Sequence, residues 1–413
     1  MPLSSPSGSK ERFWSGLFVA LIIASFVTSG SNQAIANLIP LYVDQSGFPA
    51  TFSGTLVLVF SVASIFGRIF AGACLDSVGR KPVLLIGSIC FLVGAAGPAL
   101  VPDVQFLILW RVWQGIGFAI TTTAAATIVA DILPRERVRE GISFYSIGQS
   151  LSAAVGPGAG ILLLGLSSIS QAFLFVAVGV SVVVGVAVYA KSPWDARLKD
   201  QRAVARSEMV RPPRKPWFSF EKRALPVFLV QFIASLAFSQ YLNFLSLYSI
   251  REGFGKPGLF FAIAAVMMIA SRLLLARFLN RLAPGFAFPL LFGLGATSFI
   301  LVATAASDVM LYLAGALYGV AFGLFTPLMN IIVLAITPQS RWGAATAMNF
   351  LGADLGIGLG GILAGIVIES VPFGALFWGG AILMLVACTA ALTVIPRRAL
   401  RKPGGSDLGS PDD

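Results

Sequence analysis

Hydrophobic stretches long enough to cross a bilayer recur along this chain, and they constrain the fold more than any other feature. A helical span needs about 20 apolar residues to match a hydrocarbon core of about 30 Å. Twelve such stretches are present, at about 13–42, 51–74, 82–101, 104–130, 139–166, 170–190, 224–250, 258–280, 286–304, 308–336, 341–368 and 374–396. Of 413 residues, 57% are hydrophobic and only 11% charged, where soluble domains carry roughly 25% charged residues. The stretches therefore read as membrane helices. The first is too long for a signal-peptide core, and no small-residue cleavage site ends it, so it reads as a retained span.

The net charge of +11 raises the question of a nucleic-acid partner, and its placement answers no. With the N-terminus inside, 24 of the 29 Lys and Arg residues fall in segments on the cytoplasmic side, while the outer loops hold only Arg251 and Lys256. That is a positive-inside pattern, with both termini cytoplasmic. The partner it implies is the lipid bilayer. The chain has no histidine, which excludes Ser-His-Asp triads, histidine zinc sites and histidine-ligated haem. Cys74, Cys90 and Cys388 all lie in apolar stretches and read as free buried thiols. No metal site, cofactor or catalytic set is expected, so the chain does not read as an enzyme.

Residues 191–223 interrupt the spans with a basic segment containing Pro212-Pro213-Arg214-Lys215-Pro216. Equal lengths of chain flank it, and a repeat relates them. At an offset of 204, Arg68 matches Arg272, Gly72 matches Ala276, Asp76 matches Asn280, Gly115 matches Gly319, Gly148 matches Gly352 and Gly156 matches Gly360. At 206, Leu41-Tyr42 matches Leu247-Tyr248 and Gly47-Phe48 matches Gly253-Phe254. The expected organisation is an all-α membrane protein of two six-helix bundles, 1–190 and 224–396, related by a parallel pseudo-repeat. Residues 191–223 form a cytoplasmic linker between them and 397–413 a cytoplasmic polar tail.

Polar side chains in lipid are expensive and face a cavity or another helix. In the first span Ser25, Ser29, Gln33 and Asn37 recur every four residues, and in the seventh Gln231, Ser235, Ser239 and Asn243 do the same. Each set shares a helix face. The stripes line a central path for substrate, or they hydrogen-bond between helices. The tenth span repeats the pattern with Tyr318, Phe322, Thr326 and Asn330, and the fourth carries Gln114, Phe118 and Thr122. Aromatics beside amides suit an amphipathic organic molecule, and they also suit packing.

Asp354 lies 13 residues beyond Arg341, about 20 Å along a helix and so near the bilayer centre. A carboxylate there is a proton carrier or a structural partner to a neighbouring helix. Arg111 sits roughly two turns inside the outer face. Its partners are a carboxylate, helix carbonyls or the interface; an ionic partner would be Asp354 in one state, or the substrate. Small-residue seams at Gly148 and Gly156, and at Gly352, Gly356 and Gly360, bring helices close. Pro157 should kink its helix.

The turn after the second span reads Arg68-Ile-Phe-Ala-Gly72-Ala-Cys-Leu-Asp76-Ser-Val-Gly79-Arg80-Lys81. With twelve spans in two parallel halves, it resembles the loop signature of the major facilitator superfamily, and the resemblance covers essentially the whole chain. Arg111-Val-Trp-Gln114-Gly115 resembles that superfamily's fourth-span motif, implicated in proton coupling. Gly148 to Gly160 resembles the fifth-span motif of its twelve-span drug:proton antiporters, with Ile161 where the pattern ends in glycine. The resemblance implies a central cavity lined by spans one, four, seven and ten, and alternating access between the two halves. It also implies a cytoplasmic gate in which Asp76 faces a helix end of the other half and Arg80 pairs with acids such as Glu140. The expected activity is export of a small organic molecule by proton antiport, from a monomer in a bacterial inner membrane. Uptake by symport or uniport, or a receptor without flux, are the alternatives.

Overall fold

The computed structural model describes residues 14–133, 138–190, 221–254, 256–275, 284–338 and 341–396. Most of the linker, the tail and the second copy of the signature turn lie outside the described residues. Regular structure among the described residues is helical. The first six helices are α1 (Gly16–Gln45), α2 (Ala50–Ser77), α3 (Arg80–Leu100), α4 (Leu107–Ile132), α5 (Val138–Leu166) and α6 (Ile169–Tyr189). After the linker come α7 (Leu225–Arg251), α8 (Pro257–Ala270, continued by a π-helical turn Ser271–Leu275), α9 (Pro284–Ala303), α10 (Asp308–Ala335), α11 (Trp342–Ser370) and α12 (Phe373–Val394). Each expected span corresponds to one of these helices. Ten are long and apolar enough to cross a membrane among the described residues; α5 and α8 contribute shorter apolar stretches, Val155–Leu166 and Pro257–Ala270.

Local chemistry sets the ends of these helices. Ser15 caps α1 by accepting from the Phe18 amide. Ser168 and Gln171 form a reciprocal capping box at α6. Gly47 and Gly253 follow α1 and α7 with φ of 75° and 69°, a left-handed conformation that glycine adopts at no steric cost. These two glycines are the pair matched at the 206 offset, so the repeat extends to backbone geometry.

Packing repeats as well. Gly115 of α4 lies against the Phe60 backbone of α2, and Gly319 of α10 lies against the Ala264 backbone of α8. Gly156 abuts Gly30 and Gly360 abuts Leu236, both at related positions. A side chain at any of these four glycines would collide with backbone of the facing helix. α5 remains helical through Pro157.

The helices before and after the linker bury separate cores. In the first half, Phe18, Leu75, Leu84 and Ile128 cluster near the end of the bundle where α1 begins and α12 ends, here called the terminal end. Ile35, Leu56, Phe91 and Phe173 cluster toward the far end. In the second half one aromatic-rich cluster runs from Val227 through Tyr241, Phe260 and Phe299 to Phe377, joined by Leu41 of the first half. The outer surface exposes large apolar side chains such as Phe66, Leu166, Phe175, Phe286 and Ile382. A continuous apolar exterior around closed helices is what lipid requires.

Where the linker returns, the Glu221 carboxylate accepts from the Arg223 amide and pairs with Arg341 Nε at 2.9 Å. This ties the start of α7 to the start of α11. The Arg223 amide first, and then the Arg341 guanidinium, hold the Glu221 carboxyl below its ordinary value of 4.5.

Gly319→Ala should force α8 and α10 apart and cost about 1–3 kcal/mol, read as a lower Tm in detergent. Gly379→Ala, where an added Cβ meets nothing within 4 Å, should not lower Tm and should raise it slightly, because alanine loses less backbone entropy in a helix. Because the Glu221 carboxyl is depressed, its stabilisation is present above its unfolded value and lost as pH falls through the folded one. Glu221→Gln should therefore lower Tm at pH 7 and match the parent protein in acid; a constant difference across pH would refute the tie.

Candidate functional site

The most extensive contact between the halves runs between α2 and α11. Small residues let the two backbones meet: Gly54 lies against Gly361, Ser61 against Gly358, and Gly365 against Ala50. Such seams allow close approach in lipid. Toward the terminal end the seam finishes in a charge pair. Arg68 Nε donates to Asp354 Oδ2 at 2.7 Å, with side-chain exposures of 24% and 15%. The Arg68 guanidinium also lies 5.4 Å from the Phe350 ring centre. Asp354, the carboxylate expected to carry protons, is thus held by a cation of the opposite half.

The repeat shows why this pair occurs once. Arg272 matches Arg68, but Asp354 matches Ser150. Without a carboxylate to meet, Arg272 Nε donates to the Gly323 carbonyl within its own half at 2.9 Å.

Arg111 has a different environment. It is 2% exposed, and its Nε donates to the Leu56 carbonyl at 3.2 Å and its Nη1 to Gln114 Oε1 at 3.0 Å. Its guanidinium stacks 4.5 Å from the Phe60 ring centre, a favourable cation–π placement. Gln114 Nε2 donates to the Gly94 carbonyl at 2.8 Å. Arg111 and Gln114 therefore bind α2, α3 and α4 together inside the first half. Of the partners open to Arg111, helix carbonyl and amide oxygens satisfy it here. Gln114, expected on the central path, is instead buried between α3 and α4.

The polar stripes divide by direction. Ser29 and Gln33 of α1 are half-buried, and Gln33 lies beside Gly156 of α5. Asn37 crosses between halves: its Nδ2 donates to the Leu242 carbonyl at 2.9 Å, and Ser246 Oγ donates to its Oδ1 at 2.8 Å. The α7 stripe turns toward its own half. Ser239 Oγ donates to the Ile357 carbonyl of α11 at 2.8 Å, Ser235 lies beneath Gly356, and Gln231 Nε2 donates to Ser235 Oγ at 3.2 Å. Asn243 Nδ2 donates back to the Ser239 carbonyl at 2.8 Å. For Ser239 the interhelical alternative is the one the structure contains, while Ser235 packs beneath α11 and Asn243 bonds within its own helix.

The remaining cavity candidates also part company. Tyr318 is buried among Phe238, Tyr241 and Phe260. Phe322 is half-buried and meets Phe238 edge-on, with ring centres 4.8 Å apart. Thr326 and Asn330 are half-buried, and Asn330 Oδ1 accepts from Asn349 of α11 at 2.8 Å. Phe118 sits between Phe60 and Phe91, and Thr122 donates to the Phe118 carbonyl at 2.8 Å.

At the signature turn, Gly79 is buried with φ 122°, a conformation that only glycine adopts without strain. Gly72 is exposed with open space beside it. Arg80 is 5% exposed, pairs with Asp131 of α4 at 3.0 Å, and donates to the Leu75 carbonyl. Asp131 was not anticipated; its signal in the sequence was a carboxylate at the terminal-end limit of the fourth span. Lys81 is half-buried. The side chains of Asp76 and Glu140 lie outside the described residues.

Comparison with known proteins fits this geometry. The model of the Major Facilitator Superfamily matches residues 21–309 and 288–410. The staphylopine export protein of Staphylococcus aureus is 23% identical over 368 residues, covering 86% of this chain and 90% of that protein. The uncharacterized MFS-type transporter YhhS of Escherichia coli is 25% identical over 373 residues, covering 88% of each. Among solved structures, a D-xylose–proton symporter superposes with a TM-score of 0.73 at 15% identity, covering 92% of this chain and 97% of the symporter.

The Arg68–Asp354 contact makes a quantitative expectation. Arg68→Gln and Asp354→Asn should each destabilise the protein, since each strands the other group. The double variant should lose less than the sum, with a coupling of about 0.5–3 kcal/mol. Unfolding titrations in mixed detergent measure this; strictly additive losses would mean the two groups do not interact.

Proposed function

Because the chain belongs to the major facilitator superfamily and is a multi-pass membrane transporter, we propose that it exports a small organic molecule in exchange for protons by alternating access. The single observation that carries this reading is the Arg68–Asp354 pair, a protonatable carboxylate joined to a cation across the two halves. The terminal end faces the cytoplasm in this proposal, as the positive-inside pattern supports. Residues 1–190 and 224–396 are the two moving bodies, 191–223 links them, and a monomer in the inner membrane suffices.

The cycle follows from charge. Ionised Asp354 holds α2 to α11 on the cytoplasmic side of the seam. A proton arriving from outside neutralises Asp354, removes its attraction for Arg68, and lets the cytoplasmic side open. Asp354 then releases the proton inward, substrate enters, and the pair re-forms as that side closes. The shift a proton produces equals its differential affinity for the two states, which a carboxylate paired in one state and free in the other supplies. The similarity to a staphylopine exporter supports the outward direction. It also makes staphylopine the first substrate to try. The signature turn, with Asp76, Arg80, Lys81 and Glu140, serves in this proposal as part of the same cytoplasmic gate. Ser29, Gln33, Phe322, Thr326 and Asn330, half-buried here, are the side chains proposed to meet substrate.

The test uses purified protein in proteoliposomes with an imposed pH gradient and staphylopine as probe. The parent should move it against its gradient toward the acidic side. Asp354→Asn should lose proton-driven accumulation by roughly tenfold or more while retaining exchange of staphylopine down its gradient. Accumulation away from the acidic side would instead mark a symporter. Undiminished uphill transport by Asp354→Asn would remove Asp354 from the coupling step.

A further inference from the structure

Three contacts between the halves gather at the far end, and the repeat does not duplicate them. Asp44, at the last turn of α1, pairs with Arg251, at the last residue of α7. The Arg251 guanidinium also lies 5.9 Å from the ring centre of Phe373 at the start of α12. Glu369, near the end of α11, accepts a hydrogen bond from the Thr51 amide in the first turn of α2 at 2.7 Å. That amide is one of those a helix start leaves without an internal partner, and the positive end of the helix favours a carboxylate there. Two turns in from Asp44, Asn37 bonds to the Leu242 carbonyl and to Ser246.

At related positions Asp44 corresponds to Ile250, Arg251 to Gln45 and Glu369 to Gly165. Asn37 corresponds to Asn243, which bonds within its own helix. A repeat that preserves its glycine seams yet keeps these groups on one side only has placed them for a contact between unlike surfaces.

We propose that these contacts form a latch closing the far end, and that the carboxylates of Asp44 and Glu369 set how often that end opens. The inference rests on the alternating-access reading above and assigns its second gate. Both carboxylates reach across to the opposite half, so a rocking motion that opens the far end must break both. The Asp44–Arg251 pair is also open to solvent, with side-chain exposures of 34% and 45%. Removing either carboxylate therefore strands no buried charge: Arg251 and the Thr51 amide return to water. Their loss shifts the opening equilibrium and leaves the folded bundle intact. Asn37 differs, being 1% exposed; its removal would take a second donor from the helical Leu242 carbonyl and the acceptor from Ser246 Oγ.

Accessibility tests the latch without a known substrate. Cys74, Cys90 and Cys388 are replaced by serine and Ser29→Cys is introduced as reporter, eight residues inward from Asn37, or about 12 Å along α1. In reconstituted vesicles a membrane-impermeant maleimide is added from the far-end side. Asp44→Asn and Glu369→Gln should each raise the labelling rate several-fold. The exchanged pair Asp44→Arg with Arg251→Asp should return it to the reporter's own rate. An unchanged rate in both single variants, or an exchanged pair that labels as fast as Asp44→Asn, overturns the latch. If this happens in protein that still exchanges staphylopine for protons, the transport reading stands alone. Rates that rise as expected, when protein lacking the Ser29→Cys reporter moves no substrate, would uphold the latch and remove the transport reading.

Discussion

Hydrocarbon supplies no hydrogen bonds, so every polar group this chain carries into the bilayer must find its partner inside the protein. That constraint explains the arrangement of the described polar side chains more than any property of the helices themselves. Arg111 is tolerated because a helix carbonyl, an amide and an aromatic face enclose it. Arg272 survives on a carbonyl of its own half. Arg68 and Asp354 satisfy each other across the seam. Each of these three arginines marks a place where helices are joined.

Those joints are of two kinds. Within a half they are numerous and mostly uncharged: Ser239 to α11, Gln114 to α3, and glycines against facing backbone, with Arg80–Asp131 and Glu221–Arg341 as ion pairs toward the terminal end. Between the halves the charged contacts lie toward the two ends of the seam: Arg68–Asp354 on the terminal side, and Asp44–Arg251 with Glu369 on Thr51 at the far end. Between them lie glycines and serines that offer close packing and little directional bonding. This distribution suits two rigid bodies that move against each other, because an ionic contact is lost over a short displacement while a small-residue seam tolerates sliding.

The pseudo-repeat makes the asymmetry informative. Duplicated positions kept for packing still behave alike: Gly47 and Gly253 share a left-handed turn, and Gly115 and Gly319 share a backbone approach. Duplicated polar positions have diverged. Asn37 reaches the other half while Asn243 bonds its own helix, and Arg68 finds a carboxylate where Arg272 finds a carbonyl. Packing needs both copies of a seam, whereas a contact between unlike surfaces needs only one.

Hydropathy alone determined the number of helices and their limits within a few residues, because burial in lipid writes itself into a long uninterrupted run, while residue matches at a near-constant offset marked the related halves. Glycine seams were legible for a similar reason: close backbone approach forbids any larger residue. The direction of each polar side chain was not legible. A four-residue spacing says that Gln231, Ser235, Ser239 and Asn243 share a face, but not which neighbour that face meets. Only the packed structure turned this stripe toward α11 and joined Asp354 to Arg68, 286 residues away in the chain. Periodicity is a property of one helix, while the partner of a polar group depends on how two helices lie against each other.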